Sequence, residues 1–308
     1  MSKNVLLATD KAFAKIAVDG IADIFPKAGY NLIKLENYTD KQDLLNAVKD
    51  AHAMIIRSDK VTAEVLEAAQ NLQIVVRAGA GYDNVDLTKA TEKNVCVMNT
   101  PGQNSNAVAE LAFGLMLFLA RKKFTEGNGT ELRDKTVGIH AYGNVGRFVA
   151  MIARGFGMNV AAFDPYVETE KMEAEGIKVY TKVEDLYANC DYVSIHIPAN
   201  EQTKKSINYD LLSKLMPGAC VVNTARKEVM DEEGLVAIMN ERTDIMYASD
   251  VAPDCHAEMV EKFGKRYHST TKKMGAQTSE ANVNAGLAAA NQIVRFFENN
   301  DRTFQVNK

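Results

Sequence analysis

Proline and glycine are sparse in this chain, 6 and 19 of 308 residues, which argues against a fibrous repeat or a Gly/Pro-rich disordered protein. Cysteine is rarer still. Cys96, Cys190, Cys220 and Cys255 lie far apart and form no C-x-x-C pair, so neither a zinc framework nor a disulfide scaffold is predicted. Such usage suits a reducing compartment. The longest apolar run, VAELAFGLMLFLA from Val108 to Ala120, is too short to cross a bilayer and contains Glu110, so it reads as a core or interface helix. At the start, Asp10 and Lys11 cut the apolar run of MSKNVLLATDKAF short, unlike a secretory signal, and a cytoplasmic location is expected. A formal net charge of -4 gives no general reason to expect nucleic acid or a membrane as partner. No pair of histidines has metal-ligand spacing with an acidic third member, so no metal is expected.

What is present is alternation. From the start, short β-rich runs (NVLLA, NLIKLE, AMIIRS, QIVVRAGAG, VCVMNTPG) alternate with helical patterns, as in a parallel sheet covered by helices. After Val108 to Ala120 the rhythm restarts at TVGIHAYG and continues through NVAAFDP, YVSIHIP, CVVNTAR and MYASDVAP. The last stretch, SEANVNAGLAAANQIVRFFENN, carries apolar residues at helical spacing. Two α/β units are therefore predicted, which also fits a length of 308 residues.

Within the second unit, TVGIHAYGNVGRFVAMIARGFGMNVAAFD reads strand, glycine turn, helix, and a second strand ending in Asp164. That layout aims backbone N–H groups and a helix N-terminus at a pyrophosphate. Ala141, Gly143 and Gly146 stand at the three glycine positions, so the first is an alanine, while Asn144 and Val145 fall within the turn. Asp164, about 20 residues beyond the turn, can accept from ribose hydroxyls and would repel a 2'-phosphate. NAD is thus expected rather than NADP.

Read together with IIRSDKVTAEVLEAAQNLQIVVRAGAGYDNVDL, VMNTPGQNSNAVAELAFGLMLFLAR, VVNTARKEVMDEEGL and KKMGAQTSEA, the chain resembles the D-isomer-specific 2-hydroxyacid dehydrogenases. Within that family it is most similar to the short-form phosphoglycerate dehydrogenases. The resemblance implies two Rossmann/flavodoxin-like domains with parallel sheets, a nucleotide-binding domain (101–285) being inserted into a discontinuous substrate domain (1–100 and 286–308). It implies NAD-dependent oxidation of D-3-phosphoglycerate in serine biosynthesis, and a homodimer. Residue by residue, it places Arg226 on the substrate carboxylate, whose shape suits a bidentate guanidinium. Arg57, Ser58, Arg77 and Gly79 go to the substrate, with Lys60 a possible neighbour of its phosphate. Ala80, Ile197, Pro198, Thr224, Ala225, Asp250 and Gly275 join Gly143, Asn144, Val145, Gly146 and Asp164 at the cofactor.

Two departures touch catalysis. Five residues after Asp250 the family has a glutamate that holds its catalytic histidine, and here stands Cys255; the histidine position is Lys273, preceded by Lys272. A carboxylate raises the proton affinity of a histidine usefully, but would make a lysine still worse as a base, so the two changes agree chemically. Lys273 is accordingly expected as the acid/base. His256 and His268 are nearby alternatives, although neither spacing supplies an orienting carboxylate. Two further departures are Lys227, in place of the glycine usual after NTAR, and RKKFTEGNGTELRDK, shorter than the family's dimerisation arm and without its tryptophan. Other expectations remain: a dehydrogenase of lactate, glyoxylate or a sugar-acid phosphate, or a noncatalytic NAD-binding regulator.

Overall fold

The computed structural model describes residues 2–307. The chain divides into two units, one made of everything before Ser105 together with everything from Gln277 onward, the other of Ser105–Ala276.

The first unit holds a five-stranded sheet in the order β2-β1-β3-β4-β5, built from β1 (Asn4–Thr9), β2 (Asn31–Glu36), β3 (Ala53–Ile56), β4 (Ile74–Arg77) and β5 (Cys96–Asn99). All neighbouring strands run parallel, which requires a crossover after each. Both faces are covered, so β3 and β5 are buried at every residue and read as continuous apolar runs. Leu6, Ile55 and Ile56, each 0% exposed, contribute about 1.5–3 kcal/mol apiece. The helix Lys15–Lys27 packs on Ser279–Asn299, which returns the chain to this unit. That return comes at 277, earlier than the expected 286, because the helix is unbroken from Ser279 and buries Ala285, Ala289 and Ile293 in this core. The outgoing boundary likewise falls at 104 instead of 100. A feature absent from the sequence reading closes the β5 edge: Val306 N–H donates to Val97 O at 2.8 Å, and Val97 N–H donates to Asn307 Oδ1 at 2.7 Å. The carboxamide of Asn307 thus replaces a peptide group and blunts the edge.

In the second unit the sheet order is β12-β11-β10-β9-β6-β7-β8, again all parallel. Its strands are β6 (Thr136–His140), β7 (Asn159–Phe163), β8 (Lys178–Val179), β9 (Tyr192–Ile195), β10 (Cys220–Asn223), β11 (Met246–Ser249) and β12 (Tyr267–Ser269). The apolar run seen in the sequence is the helix Ser105–Ala120, packed on β10, β11 and the helix Asn144–Gly155, with Glu110 exposed. Strand order reverses between β6 and β9 here, and between β1 and β3 in the first unit. Such switch points open a crevice at the carboxyl ends of the strands, where ligands of α/β sheets bind.

Candidate active site

The glycine turn lies at the second unit's switch point, between β6 and the helix Asn144–Gly155. A Cβ on Gly146 would sit 2.5 Å from Ala141 O, so only glycine lets the helix begin this close to the strand. Over Gly143 nothing lies within 4 Å of where a Cβ would be, and no side chain caps the helix. Its first N–H groups are therefore open to an anion. Ala141 adopts φ +84, a left-handed conformation that an L residue tolerates poorly. The Asp164 carboxylate, at the end of β7, accepts from Tyr142 N–H at 2.7 Å and Tyr166 N–H at 2.8 Å. It is thereby fixed beside the turn. Tyr142 anchors the turn from below, its hydroxyl donating to Glu175 at 2.8 Å while burial and that carboxylate push the phenol up to about 12.

Two histidines behind these strand ends are neutral. Burial lowers His140 to about 4, and burial with His140 nearby lowers His196 to about 3. His196 is held by Ser194 Oγ at 2.9 Å and Thr224 Oγ1 at 3.4 Å, consistent with a structural role. Ile197 is buried and Pro198 exposed at the same edge. After β10, Asn223 shapes the next turn: its Oδ1 accepts from Ala225 N–H at 3.0 Å and its Nδ2 donates to Arg226 O at 2.9 Å. Arg226 is left exposed, its guanidinium donating to Ala225 O at 2.9 Å.

Beyond β12 runs the segment with Lys273. It wraps around Asp250, whose carboxylate accepts from Thr270 Oγ1 at 3.1 Å, Met274 N–H at 2.7 Å and Gly275 N–H at 2.8 Å. Lys273 itself is exposed. The neighbouring histidines take other roles. His256 pairs with Tyr267 Oη at 2.8 Å and Ser269 Oγ at 3.2 Å, and His268 lies against the Phe118 ring, its pKa lowered by burial and by Lys123. No carboxylate hydrogen bond orients either ring among the described residues. Cys255 is no substitute base, because burial and Glu232 push its thiol up to about 12.

In the first unit, Arg57, Ser58 and Asp59 follow β3 at the β1/β3 switch point. Arg77 ends β4, and its Nε donates to Arg57 O at 3.1 Å, joining the two arginines. Gly79 adopts φ +146, a conformation that L side chains rarely adopt, and a Cβ there would displace the Arg77 guanidinium, whose Nη1 lies 1.6 Å from that position. Arg57 rests over the Phe13 ring at 5.5 Å. Ser58 donates to Asp10 Oδ1 at 2.7 Å, so its hydroxyl is already engaged, and Lys60 is exposed. Ala80 O accepts from Asn99 Nδ2 at 2.7 Å. The residue missed in the sequence is Asp59, 3% exposed, which accepts from Asp10 N–H and Tyr38 Oη at 2.6 Å each and from Arg57 N–H at 3.2 Å. Its only sequence signal is a carboxylate two residues after the arginine it supports.

Each unit thus gathers its own share of the predicted residues at its strand ends. A cavity of about 920 Å³ in the second unit contains none of them; it is lined by paired charges such as Lys227 and Asp254, 2.5 Å apart. Among the described residues no group of His, Cys, Asp or Glu could hold a metal, and no helix is long and apolar enough to cross a membrane.

Comparison with known proteins matches residues 114–269 to the family described as "D-isomer specific 2-hydroxyacid dehydrogenase, NAD binding domain". Among curated proteins, the hydroxypyruvate reductase of Thermotoga maritima is 39% identical over 212 residues, 64% of this chain and 68% of that protein. The D-3-phosphoglycerate dehydrogenase of Methanocaldococcus jannaschii is 34% identical over 270 residues, 82% of this chain and 51% of that protein. The chain spans about half the length of the curated phosphoglycerate dehydrogenases of Methanocaldococcus jannaschii and Archaeoglobus fulgidus. Among solved structures, NAD+-bound 3-phosphoglycerate dehydrogenase from Entamoeba histolytica superposes with a TM-score of 0.87 at 46% identity, covering 100% of this chain and 99% of that one.

Proposed function

Because the chain belongs to the D-isomer-specific 2-hydroxyacid dehydrogenases, a family of NAD-dependent oxidoreductases, and carries their NAD-binding domain, we propose that it oxidises D-3-phosphoglycerate to 3-phosphohydroxypyruvate. That step would feed serine synthesis. The observation that carries this reading is the whole-length likeness, at 46% identity, to the Entamoeba histolytica enzyme.

The residues present fit NAD. Open space over Gly143, uncapped N–H groups at Asn144 and Val145, the close approach at Gly146 and the fixed Asp164 carboxylate would hold its pyrophosphate and ribose. Ala80, Ile197, Pro198, Thr224 and Ala225 are assigned to its remaining contacts by family resemblance. When bound, NAD supplies the hydride acceptor. Arg226 pairs with the substrate carboxylate through its planar fork and polarises the oxygen of the carbon being oxidised. Lys273 takes the hydroxyl proton in oxidation and returns it in reduction. An ammonium can donate its proton at neutral pH, whereas oxidation needs the neutral amine, so oxidation should quicken toward alkaline pH. Arg57 and Arg77 supply positive charge for the phosphate. A cytoplasmic homodimer completes the reading.

A second reading, oxidation or reduction of an unphosphorylated 2-hydroxy acid, is favoured by the likeness to hydroxypyruvate reductase. Steady-state turnover with NAD, on 3-phosphoglycerate beside glycerate and lactate, separates the two. Arg57→Ala and Arg77→Ala should each raise KM for the phosphorylated acid about 10- to 100-fold, since a charge-assisted hydrogen bond is worth about 1.5–3 kcal/mol. Equal efficiency on unphosphorylated acids, unaffected selectively by either substitution, would sink the phosphoglycerate reading. Absence of turnover on every acid would favour the regulator.

A further inference from the structure

We propose that Asp250 is the positioning residue for Lys273, acting through the loop 270–275; this rests on the reading of Lys273 as the acid/base. Family resemblance assigns Asp250 to the cofactor, but here its carboxylate is turned to the chain itself. Asp250 is 1% exposed, and its own N–H donates to Asn223 O at 2.9 Å, locking it to the end of β10. Three donors from the loop converge on its two oxygens: Thr270 Oγ1 and Met274 N–H on Oδ1, Gly275 N–H on Oδ2. Thr270 Oγ1 also lies 2.7 Å from Asp250 O. The peptide joining Lys273 to Met274 is therefore held by a buried charge.

Thr271, Lys272, Lys273 and Met274 are all exposed, so burial of these side chains contributes little to where the segment sits. Gly275 is buried because Asp250 approaches it closely: a Cβ there would lie 2.8 Å from Oδ2 and 3.2 Å from Val108 Cγ2. The same strand ends also set the other catalytic turn. Asn223, whose carbonyl receives Asp250 N–H, holds the backbone of Ala225 and Arg226 with its carboxamide. Adjacent residues of β10 and β11 thus space the carboxylate-binding arginine and the lysine from one rigid platform. An acceptor-only group is needed at 250, because an amide there would face one of the loop's N–H groups with its own NH2.

The test compares Asp250→Asn, Lys273→Met and the double variant. Asp250→Asn should lower kcat about a hundredfold, as expected for misplacing a reacting group by about 1 Å, with KM and calorimetric NAD affinity changed less than about threefold. In the Lys273→Met background it should cost nothing further, since a group acting only through Lys273 has no effect once the amine is gone. Hydrogen exchange of the cofactor-free Asp250→Asn protein should accelerate over residues 270–276 while β10 stays protected. Thr270→Val, which removes one donor, should do the same more weakly and guards against a variant that fails to fold. Loss of NAD affinity in step with turnover, or an equal loss in both backgrounds, would overturn the proposal. So would unchanged exchange of the loop. Near-normal turnover of Lys273→Met alone would defeat the acid/base reading instead, with loop exchange still deciding whether Asp250 holds the segment.

Discussion

The turn after β6 and the loop after β12 end strands of the same sheet, yet different forces hold them. In the turn the constraint is steric and local: Gly146 packs on the carbonyl of Ala141, five residues away, and no charged side chain is needed for that contact. The loop is instead gathered by one carboxylate 20 to 25 residues upstream, while Thr271, Lys272, Lys273 and Met274 within it are exposed. A nucleotide's pyrophosphate is met by backbone N–H groups, so its cradle can be made of backbone shape. An acid/base must be aimed, and aiming a flexible lysine calls for a buried anchor.

Gly146→Ala should separate the two most sharply. Its Cβ would meet backbone oxygen at 2.5 Å, which neither partner can escape by turning a side chain. The expected result is about 1–3 kcal/mol of destabilisation by chemical denaturation, together with loss of NAD binding in calorimetry. Undiminished NAD affinity would remove the turn from the cofactor site. Gly275→Ala probes the other region more gently, because its Cβ would meet side-chain atoms, Asp250 Oδ2 at 2.8 Å and Val108 Cγ2 at 3.2 Å, instead of backbone. Turnover should fall about tenfold, equivalent to roughly 1.4 kcal/mol in the barrier, with NAD affinity kept. A fall in affinity without a fall in kcat would reverse the contrast. Ala141→Gly carries the smallest effect and the opposite sign. Releasing φ +84 relieves roughly 1–2 kcal/mol of left-handed strain, and the greater freedom of glycine in the unfolded chain takes back about 0.5–1 kcal/mol. A rise in melting temperature of a few degrees is expected, and a drop would mean that the methyl group packs usefully.

The switch points make the same distinction between the units. Strand order β2-β1-β3 in one unit and β9-β6-β7 in the other put ligand-facing loops where parallel sheets provide a crevice. Alternating apolar runs foretold both parallel sheets, and the glycine spacing with Asp164 marked the tight turn after β6. Asp59 and Asp250 make contacts that spacing along the chain does not announce. Nothing in the RSDK run singles out Asp59, yet three donors converge on it. Family resemblance assigns Asp250 to a cofactor, and the fold adds donors to its carboxylate from Thr270, Met274 and Gly275.

Taken alone, the sequence determined the features whose cause is local or periodic. Parallel strands buried on both faces must be apolar throughout, and a turn pressed against its own helix must have glycine at Gly146. Only the tertiary structure decided the return boundary at 277, the carboxamide of Asn307 standing in for a peptide on β5, and the buried carboxylates beneath Arg57 and Lys273. In each the partners are chosen by strand order, and a buried polar group accepts whichever donors the fold brings to it. Its energy depends on full satisfaction, which no spacing along one chain can specify.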